Sequence, residues 1–207
     1  SANGFYIQHK KSKRIVHYNS AVKHLFPLSE NHFLVSGTGF VNTISTRPKL
    51  TWENNLLTNI RGKSIVYDAL YDRVLVASNN GLLELKKNKV SSLFFKGKIL
   101  HIKNLVLEND RVIALSNQGE IFEIKGVAIK KIKTNRLFNL MFKDENQVLL
   151  IDKNTVFKLQ SNQFNKLFSI GKFLRIKGIN YFRGSYYAIT EDKIIKINNK
   201  KASFTSF

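Results

Sequence analysis

The feature that most constrains this chain is a pattern that returns about every 40 residues. Five segments each combine a short apolar run, a polar turn and a second run that tends to alternate apolar with polar residues. This pattern predicts a β-hairpin whose first arm is buried on both faces. The segments are 33–41, 74–85, 112–124, 148–159 and 186–197. Their turn residues recur at a nearly constant interval and are Ser36, Ser78, Ser116, Asp152 and Thr190.

Two further strands accompany each hairpin. An apolar segment precedes it, at 64–70, 99–106, 137–142 and 178–182, and a more polar segment follows it, at 90–95, 127–132 and 164–170. Four short strands at a period of roughly 40 residues are typical of a β-propeller blade, whose outermost strand is the wettest. The chain shows no sustained 3.6-residue pattern, which excludes a helical solenoid of similar period.

We therefore predict an all-β protein with a single domain over 1–207. The domain is a β-propeller or a fragment of one, with five four-stranded blades and an N-terminal half blade. The half blade covers 4–20, and the blades cover about 22–53, 63–95, 99–133, 137–170 and 175–207. We expect the ring to close imperfectly as five or six blades or to continue in further sequence. An open ring exposes strand edges, so we expect the rest of a longer chain or a second copy to pair there.

Composition narrows the functional classes. Among 207 residues there is no cysteine, which excludes a disulfide scaffold, a thiolate zinc site and a cysteine nucleophile. The longest apolar runs fall far short of the roughly 18 residues that a membrane span needs, and the N-terminus has no signal-peptide pattern. These observations favour a soluble segment, which could be cut from a larger chain.

One stretch carries a resemblance to a known family. The residues Leu56-Leu57-Thr58-Asn59-Ile60 lead to Ile65-Val66-Tyr67-Asp68 and then to the hairpin at 74–82. This series resembles the two-component regulator propeller repeat, in a degenerate form. The repeat's tryptophan is absent, because the only tryptophan is Trp52, and the last two hairpins also lack the turn glycine.

The resemblance implies a non-catalytic sensor region of a bacterial hybrid histidine kinase or a related regulator. It also implies a location on the periplasmic or extracellular side of a bacterial membrane; the alternative location is cytoplasmic. The sequence itself offers no convincing catalytic, cofactor or metal site. Gly62-Lys63-Ser64 lacks the earlier glycine of a phosphate-binding loop, and Gly37-Thr38-Gly39 lacks the third glycine of a dinucleotide fingerprint. The five histidines show no metal-ligand spacing with carboxylates.

Charge is the remaining clue. Lys and Arg number 34 against 14 Asp and Glu, a formal net charge of +20 that attracts anions, although an AT-rich genome would produce the same bias. Connections between blades carry bases and should share a face with the hairpin turns, which predicts a ring of anion-binding residues. These are Arg61, Lys63, Lys96, Lys98, Lys133, Arg136, Lys172 and Arg175. Acids fall in the turns between first and second strands, at Glu30, Asp72, Glu108, Asp110, Asp144 and Glu145. A second basic group precedes the outer strands, at Lys10, Lys11, Lys13, Arg14, Lys86, Lys87, Lys89, Lys200 and Lys201.

Three functions remain open. The first is a sensor module that recognises an anionic small molecule or an acidic oligosaccharide and signals through a larger chain. The second is an intracellular scaffold that binds another protein, or a nucleic-acid-binding propeller whose lysines contact phosphates. The third is a propeller-fold lyase or glycosidase, for which the sequence offers no convergent polar cluster.

Overall fold

A computed structural model of the chain describes residues 5–8, 15–18, 21–46, 51–87, 89–144, 147–171, 174–198 and 201–205. These residues form strands, turns and bends but no helix, so the prediction of an all-β protein is confirmed. Nothing in the described part of the chain is a helix of the length and apolar character that spans a bilayer. The chain divides into two compact units, Ser1–Leu105 and Val106–Phe207.

The N-terminal unit contains a two-stranded sheet and a longer series of antiparallel strands. The two-stranded sheet pairs β1 (Phe5–Gln8) with β2 (Ile15–Tyr18). The series runs in chain order through β3 (Val22–Pro27), β4 (His32–Ser45), β5 (Thr51–Asp68), β6 (Arg73–Ser78), β7 (Gly81–Lys86), β8 (Lys89–Phe95) and β9 (Lys98–Ile99). Its core combines residues from β4 to β7, with Leu34, Val41, Ile65 and Val76 fully buried.

Three four-stranded antiparallel sheets follow, each in simple chain order. The first contains β10 (Ile102–Glu108), β11 (Arg111–Ser116), β12 (Ile121–Lys125) and β13 (Ala128–Lys131). The second contains β14 (Leu140–Asp144), β15 (Gln147–Asp152), β16 (Thr155–Gln160) and β17 (Gln163–Ser169). The third contains β18 (Gly178–Phe182), β19 (Ser185–Ile189), β20 (Ile194–Asn198) and β21 (Lys201–Thr205).

The middle sheet of this C-terminal set is buried on both faces. Because successive residues of a strand point to opposite faces, Leu150 of β15 packs in one apolar cluster and Leu149 in another. The first cluster includes Ile113 and Phe138, and the second includes Ile195. This two-sided burial explains the continuous apolar run 148–151, which does not alternate as a half-buried strand would.

Four of the five predicted hairpins are present, formed by β6–β7, β11–β12, β15–β16 and β19–β20. The hairpin predicted at 33–41 is wrong. There β4 runs straight through Gly37-Thr38-Gly39, its first part pairing with β3 and its second part with β5. Gly37 must remain a glycine on this path, since a Cβ there would collide with the carbonyl oxygen of Ala21.

Side-chain oxygens close three of the hairpins and explain the spacing seen in the sequence. Ser78 Oγ accepts the Asn80 N–H at 3.1 Å, and Ser116 Oγ accepts the Glu120 N–H at 3.0 Å. Thr190 Oγ1 accepts a backbone N–H within its own loop in the same way. A hydroxyl at this position satisfies a turn amide that the ladder cannot reach, which favours Ser or Thr there.

Candidate functional site

The structure places the eight predicted anion-binding residues in three kinds of local structure. Arg61 and Lys63 were expected in a connection, but both lie within the continuous strand β5, which passes a register shift at Gly62–Ser64. Lys96 lies in the tight turn that joins β8 to β9, and Lys98 is in β9. Lys133, Arg136 and Arg175 are exposed residues of irregular segments that lead into the next sheet, and Lys172 falls outside the described residues.

Segments that lead into a sheet contact the hairpin turn of the sheet that they introduce. The Arg61 N–H donates to Asn79 Oδ1 at 3.1 Å, and the Arg61 carbonyl accepts the Asn79 N–H. Farther along, Lys177 Nζ lies 2.6 Å from Glu191 Oε1. This hydrogen bond from Lys177 holds the pKa of Glu191 below its usual range. A basic residue therefore contacts a hairpin turn in each unit, Arg61 through its backbone and Lys177 through its side chain.

A cleft forms at one of these junctions, in the C-terminal unit. It measures about 460 Å³ and is lined by Asn135, Arg136, Leu137, Asn139, Asp152 and Lys153. We call it the Arg136 cleft. The guanidinium carbon of Arg136 lies 4.6 Å from the centre of the Phe157 ring, and Arg136 Nη1 lies 3.6 Å from Asp152 Oδ2. Stacking on the buried Phe157 ring restrains the arginine in an orientation that faces the cleft's polar wall.

The backbone of the hairpin turn supports the other side of this cleft. Lys153 has a positive φ of 54° in the tight turn between β15 and β16, and its carbonyl accepts the Ile176 N–H at 3.1 Å. The Asn139 N–H donates to the Ile151 carbonyl at 2.7 Å. The cleft therefore lies on backbone that is fixed at several points and is preorganised for a ligand.

The Arg136 cleft offers a mixed set of hydrogen-bonding groups. Arg136 and Lys153 carry positive charge, Asp152 carries one negative charge, and the amides of Asn135 and Asn139 both donate and accept. Two cations against one carboxylate leave the cleft net positive. A guanidinium can also grip a planar carboxylate or a sulfate with two parallel hydrogen bonds. Hydroxyl groups next to such an anion would find both donors and acceptors.

Sequence reasoning identified Arg136 but missed its amide neighbours and Lys153. It also missed the buried Arg73 and the partly buried Arg111, at the first positions of β6 and β11. Arg73 lies between Asp68 and Glu84, with Nε 2.9 Å from Asp68 Oδ2 and Nη1 2.8 Å from Glu84 Oε1. A signal for these sites exists in the sequence, because both arginines occupy the same place in successive repeats. Each also follows one acid closely and precedes another on the next strand.

The acids predicted in the turns between first and second strands all lie within the described residues except Glu145, and two of them have clear partners. Asp110 pairs with the Lys125 ammonium, and the hydrogen bond from Lys125 lowers the pKa of Asp110. Asp72 accepts a hydrogen bond from the Tyr67 hydroxyl, which raises the pKa of that tyrosine. In the part of the chain that the structure describes, no three His, Asp or Glu side chains are grouped so as to bind a metal ion.

One histidine makes a specific contact in the N-terminal unit. His24 Nδ1 accepts the Ile65 N–H at 3.2 Å, which requires that nitrogen to be unprotonated. Burial lowers the pKa of His24 below its ordinary value of 6.5. The neutral ring is therefore part of the packing between β3 and β5.

No protein-family model matches this sequence, and a search of curated proteins also finds no match. Membership of the two-component regulator propeller repeat therefore stays a prediction. Solved structures do resemble the chain. The extracellular domain of a B. thetaiotaomicron protein described as a putative hybrid two-component system has a TM-score of 0.74 at 15% identity. That match covers 99% of this chain and 34% of the other, so the chain spans about a third of the length of that domain.

Two further structures broaden the comparison. An inactive variant of virginiamycin B lyase from Staphylococcus aureus, solved with quinupristin, has a TM-score of 0.74 at 12% identity. The match covers 99% of this chain and 78% of the lyase chain. The WD40 β-propeller domain of Doa1 has a TM-score of 0.65 at 13% identity and covers 92% and 71%. At these identities the likeness concerns the fold. The chain is an all-β protein of antiparallel sheets with the fold of β-propeller domains.

Proposed function

We propose that this chain is a non-catalytic sensing module that binds an acidic oligosaccharide or another small anion at the Arg136 cleft. The observation that carries the proposal is the cleft itself, where an arginine held on the Phe157 ring meets Lys153, Asp152 and two asparagines. The extracellular domain of a protein described as a hybrid two-component system shares the fold, which supports a sensing role on the outer side of a bacterial membrane.

The lining residues favour a saccharide over a simple inorganic ion. An isolated phosphate would pair with the two cations. It would leave the carboxylate of Asp152 and the amides of Asn135 and Asn139 without a hydrogen bond to the ligand. A sugar acid uses all of them, since its carboxylate pairs with Arg136 and its hydroxyls bond to amide and carboxylate groups. The volume of about 460 Å³ lies within the range of small-molecule sites and suits one or two sugar units.

A binding screen tests this proposal. The purified chain is titrated with uronic-acid and sulfated oligosaccharides and with neutral oligosaccharides of equal length, followed by calorimetry. We expect saturable binding of an acidic member and about tenfold or greater weakening in Arg136→Met combined with Lys153→Ser, since charged hydrogen bonds contribute roughly 1.5–3 kcal/mol each. The methionine retains an apolar side chain that can pack on Phe157, which separates lost binding from lost folding.

The matched control replaces Lys130 and Lys166 with serine. Both lysines are exposed, belong to the same unit and line neither this cleft nor the other described below. This variant removes the same amount of charge and should bind as the parent does. Equal loss of binding in the control and in the cleft variant would show that net charge alone attracts the ligand, and would refute the site.

We further propose that the repeats are the blades of a propeller of five four-stranded blades and an N-terminal half blade. The three four-stranded sheets of the C-terminal set support the last three of these blades. We propose that the remaining predicted anion-binding residues also attract anions, Lys96 and Lys98 within the N-terminal unit and Arg175 within the C-terminal unit. The test is a longer or shorter chain cut at a blade boundary, which should unfold cooperatively only when whole blades are kept.

The third sheet of the C-terminal set also supports a partner at its outer face. The face turned away from its apolar cluster exposes Phe182 by 55% and Ile189 by 42%, beside Tyr187 and Ile194. We propose that a further sheet of a longer chain, or a second copy, covers this face. Sedimentation of the chain should show self-association that Phe182→Ser with Ile189→Ser abolishes; a monomer at high concentration would argue against the second copy.

A further inference from the structure

Two ion triads of the same arrangement recur in the described part of the chain, one buried and one partly buried. The Arg111 triad joins Arg111 to Glu108 and Glu123, and the Arg73 triad joins Arg73 to Asp68 and Glu84. Each arginine opens the second strand of its repeat, and each faces one acid from the preceding strand and one from the following strand. The triads therefore allow a comparison of equivalent sites within one molecule.

The Arg111 guanidinium uses every one of its nitrogens. Nε and Nη2 both donate to Glu108 Oε2, at 2.9 and 2.7 Å, and Nη1 donates to Glu123 and also to Asn162 Oδ1 at 2.6 Å. Burial opposes the charge of Arg111, but these hydrogen bonds outweigh burial and raise the pKa of Arg111. Four of its five N–H groups are therefore engaged, and every nitrogen has a directed hydrogen bond.

The Arg73 guanidinium has fewer hydrogen bonds than the Arg111 guanidinium. Asp68 is one methylene shorter than Glu108. Arg73 Nη2 forms an ion pair with Asp68 Oδ2 at 2.9 Å but makes no well-directed hydrogen bond, and the guanidinium carbon lies 5.0 Å from the centre of the Tyr71 ring. The side chain of Arg73 is only 1% exposed. At Nη2 this buried arginine therefore has an ionic contact without a directed hydrogen bond, and an under-satisfied buried donor of this kind calls for an explanation.

A cleft adjoins this arginine. It measures about 350 Å³ and belongs to the N-terminal unit, lined by Asn55, Leu56, Tyr67, Asp72, Arg73, Val74, Leu85, Lys86, Lys87 and Val90. We call it the Arg73 cleft. Its apolar wall comes from leucine and valine side chains and the Tyr67 ring, and its polar groups converge from several strands and the turns between them. A pocket of this size with an apolar wall and a few convergent polar groups is typical of a small-molecule site.

We infer that the Arg73 cleft is a second small-molecule site, separate from the Arg136 cleft, and that it takes a sugar or polyol unit with an acidic substituent. Two carboxylates already balance the Arg73 charge, so this end of the cleft suits a neutral hydroxyl oxygen better than a further anion. A hydroxyl supplies such an oxygen and can also donate to Asp72. Arg73 Nη2 itself is shielded from solvent, so the ligand would bond to Asp72 and the other polar groups that line the cleft.

The acidic substituent is assigned to Lys86 and Lys87. Both ammonium groups are exposed, and neither makes an ion pair within the residues that the structure describes. The apolar faces of a pyranose ring fit the Tyr67 ring and the aliphatic wall, since these exclude water from one side of the sugar.

The test is an NMR titration of the full chain with D-glucuronate, with D-glucose as the uncharged comparison. We expect saturable shifts at Asn55, Tyr67, Asp72 and Lys87, and a shift of the Arg73 Nε–H signal while that of Arg111 stays in place. D-glucose should bind about three- to tenfold more weakly, the amount expected for the loss of one or two exposed charge contacts.

Two variants and one control complete the experiment. Val90→Trp fills the cleft from a half-exposed strand position and should abolish the shifts, whereas Val127→Trp, at an exposed valine outside both clefts, should not. Lys86→Ser with Lys87→Ser should reduce glucuronate binding to the level of glucose. The inference is overturned if no saturable shift occurs, if Val90→Trp binds as the parent does, or if the shifts appear only at Asn135, Asn139 and Lys153. The last outcome would leave the Arg136 site intact and refute this one.

Discussion

Gly119 gives the sharpest test of how the repeats are joined. It lies in the loop between β11 and β12 with a φ of +88°, and its carbonyl accepts the Phe138 N–H at 2.9 Å. A Cβ placed there would lie 2.8 Å from the Phe138 carbonyl oxygen and 2.9 Å from its nitrogen. Both distances are shorter than real Cβ contacts, so Gly119→Ala must displace the segment that leads into β14.

The cost of this substitution has separable parts. A positive φ costs an alanine roughly 1–2 kcal/mol, and losing the hydrogen bond to Phe138 costs roughly 0.5–1.5 kcal/mol. With the displaced backbone, the total for Gly119→Ala is about 2–4 kcal/mol. Gly184 is the matched control, since it has a φ of +76° in the same unit and nothing within 4 Å of its Cβ position. Gly184→Ala should therefore cost only about 1–2 kcal/mol.

The assay is urea unfolding followed by circular dichroism, together with amide hydrogen exchange of β11, β12 and β14. We expect the free energy of unfolding to fall further in Gly119→Ala than in Gly184→Ala, and the Phe138 amide to exchange faster only in the former. Equal losses in the two variants would refute the close approach of this segment to the hairpin turn.

Two further predictions concern buried ionisable groups. The pKa of His24 is lowered in the folded state, so the unfolded chain binds more protons below pH 6.5. The contribution of His24 to stability should therefore be complete above that pH and be lost as the pH falls below it. The slope should be at most about 1.4 kcal/mol per pH unit. His24→Gln should flatten this part of the profile in urea unfolding, whereas His101→Gln, at an exposed residue, should not; identical profiles would contradict the His24–Ile65 contact. Arg73→Met leaves the 2% exposed Asp68 unpaired and should cost about 3–5 kcal/mol. Adding Asp68→Asn and Glu84→Gln should recover part of that loss. If Arg73→Met alone left the free energy of unfolding unchanged, the triad would not be what holds β6 in place.

Much of the fold follows from local patterns that the sequence displays. The strand predicted at 178–182 coincides with β18, and the turn positions Ser78, Ser116 and Thr190 are those where a hydroxyl accepts a turn amide. Such signals are readable because alternation, turn residues and capping oxygens act over a few neighbours. The prediction failed at 33–41, where the glycines permit a turn but the close approach of Gly37 to Ala21 and the long pairing with β5 favour a continuous strand.

The site was predictable only in part. The sign of its charge and the residue Arg136 followed from the position of basic residues between repeats. The contact between Phe157 and Arg136 could not be predicted in this way. A buried aromatic residue in an apolar run is expected in the core, and the two residues are brought together only by the tertiary fold. The pairing of Arg136 with Asp152, which lies beyond β14 in the sequence, likewise depends on the path of the segment before that strand. Long-range contacts of this kind leave no local pattern.

The most direct test of the central claim is the salt dependence of binding. The affinity of the chain for the best acidic oligosaccharide is measured at about 50 and about 300 mM salt, beside single-stranded nucleic acid. If the cleft binds the saccharide through directional hydrogen bonds, the affinity should fall less than about fivefold between the two salt concentrations, because salt screens only one or two charges. A polyanion held at four phosphates by scattered lysines would lose about a hundredfold over the same range. Saccharide binding that disappears at high salt while nucleic acid binds more tightly at low salt would contradict the account.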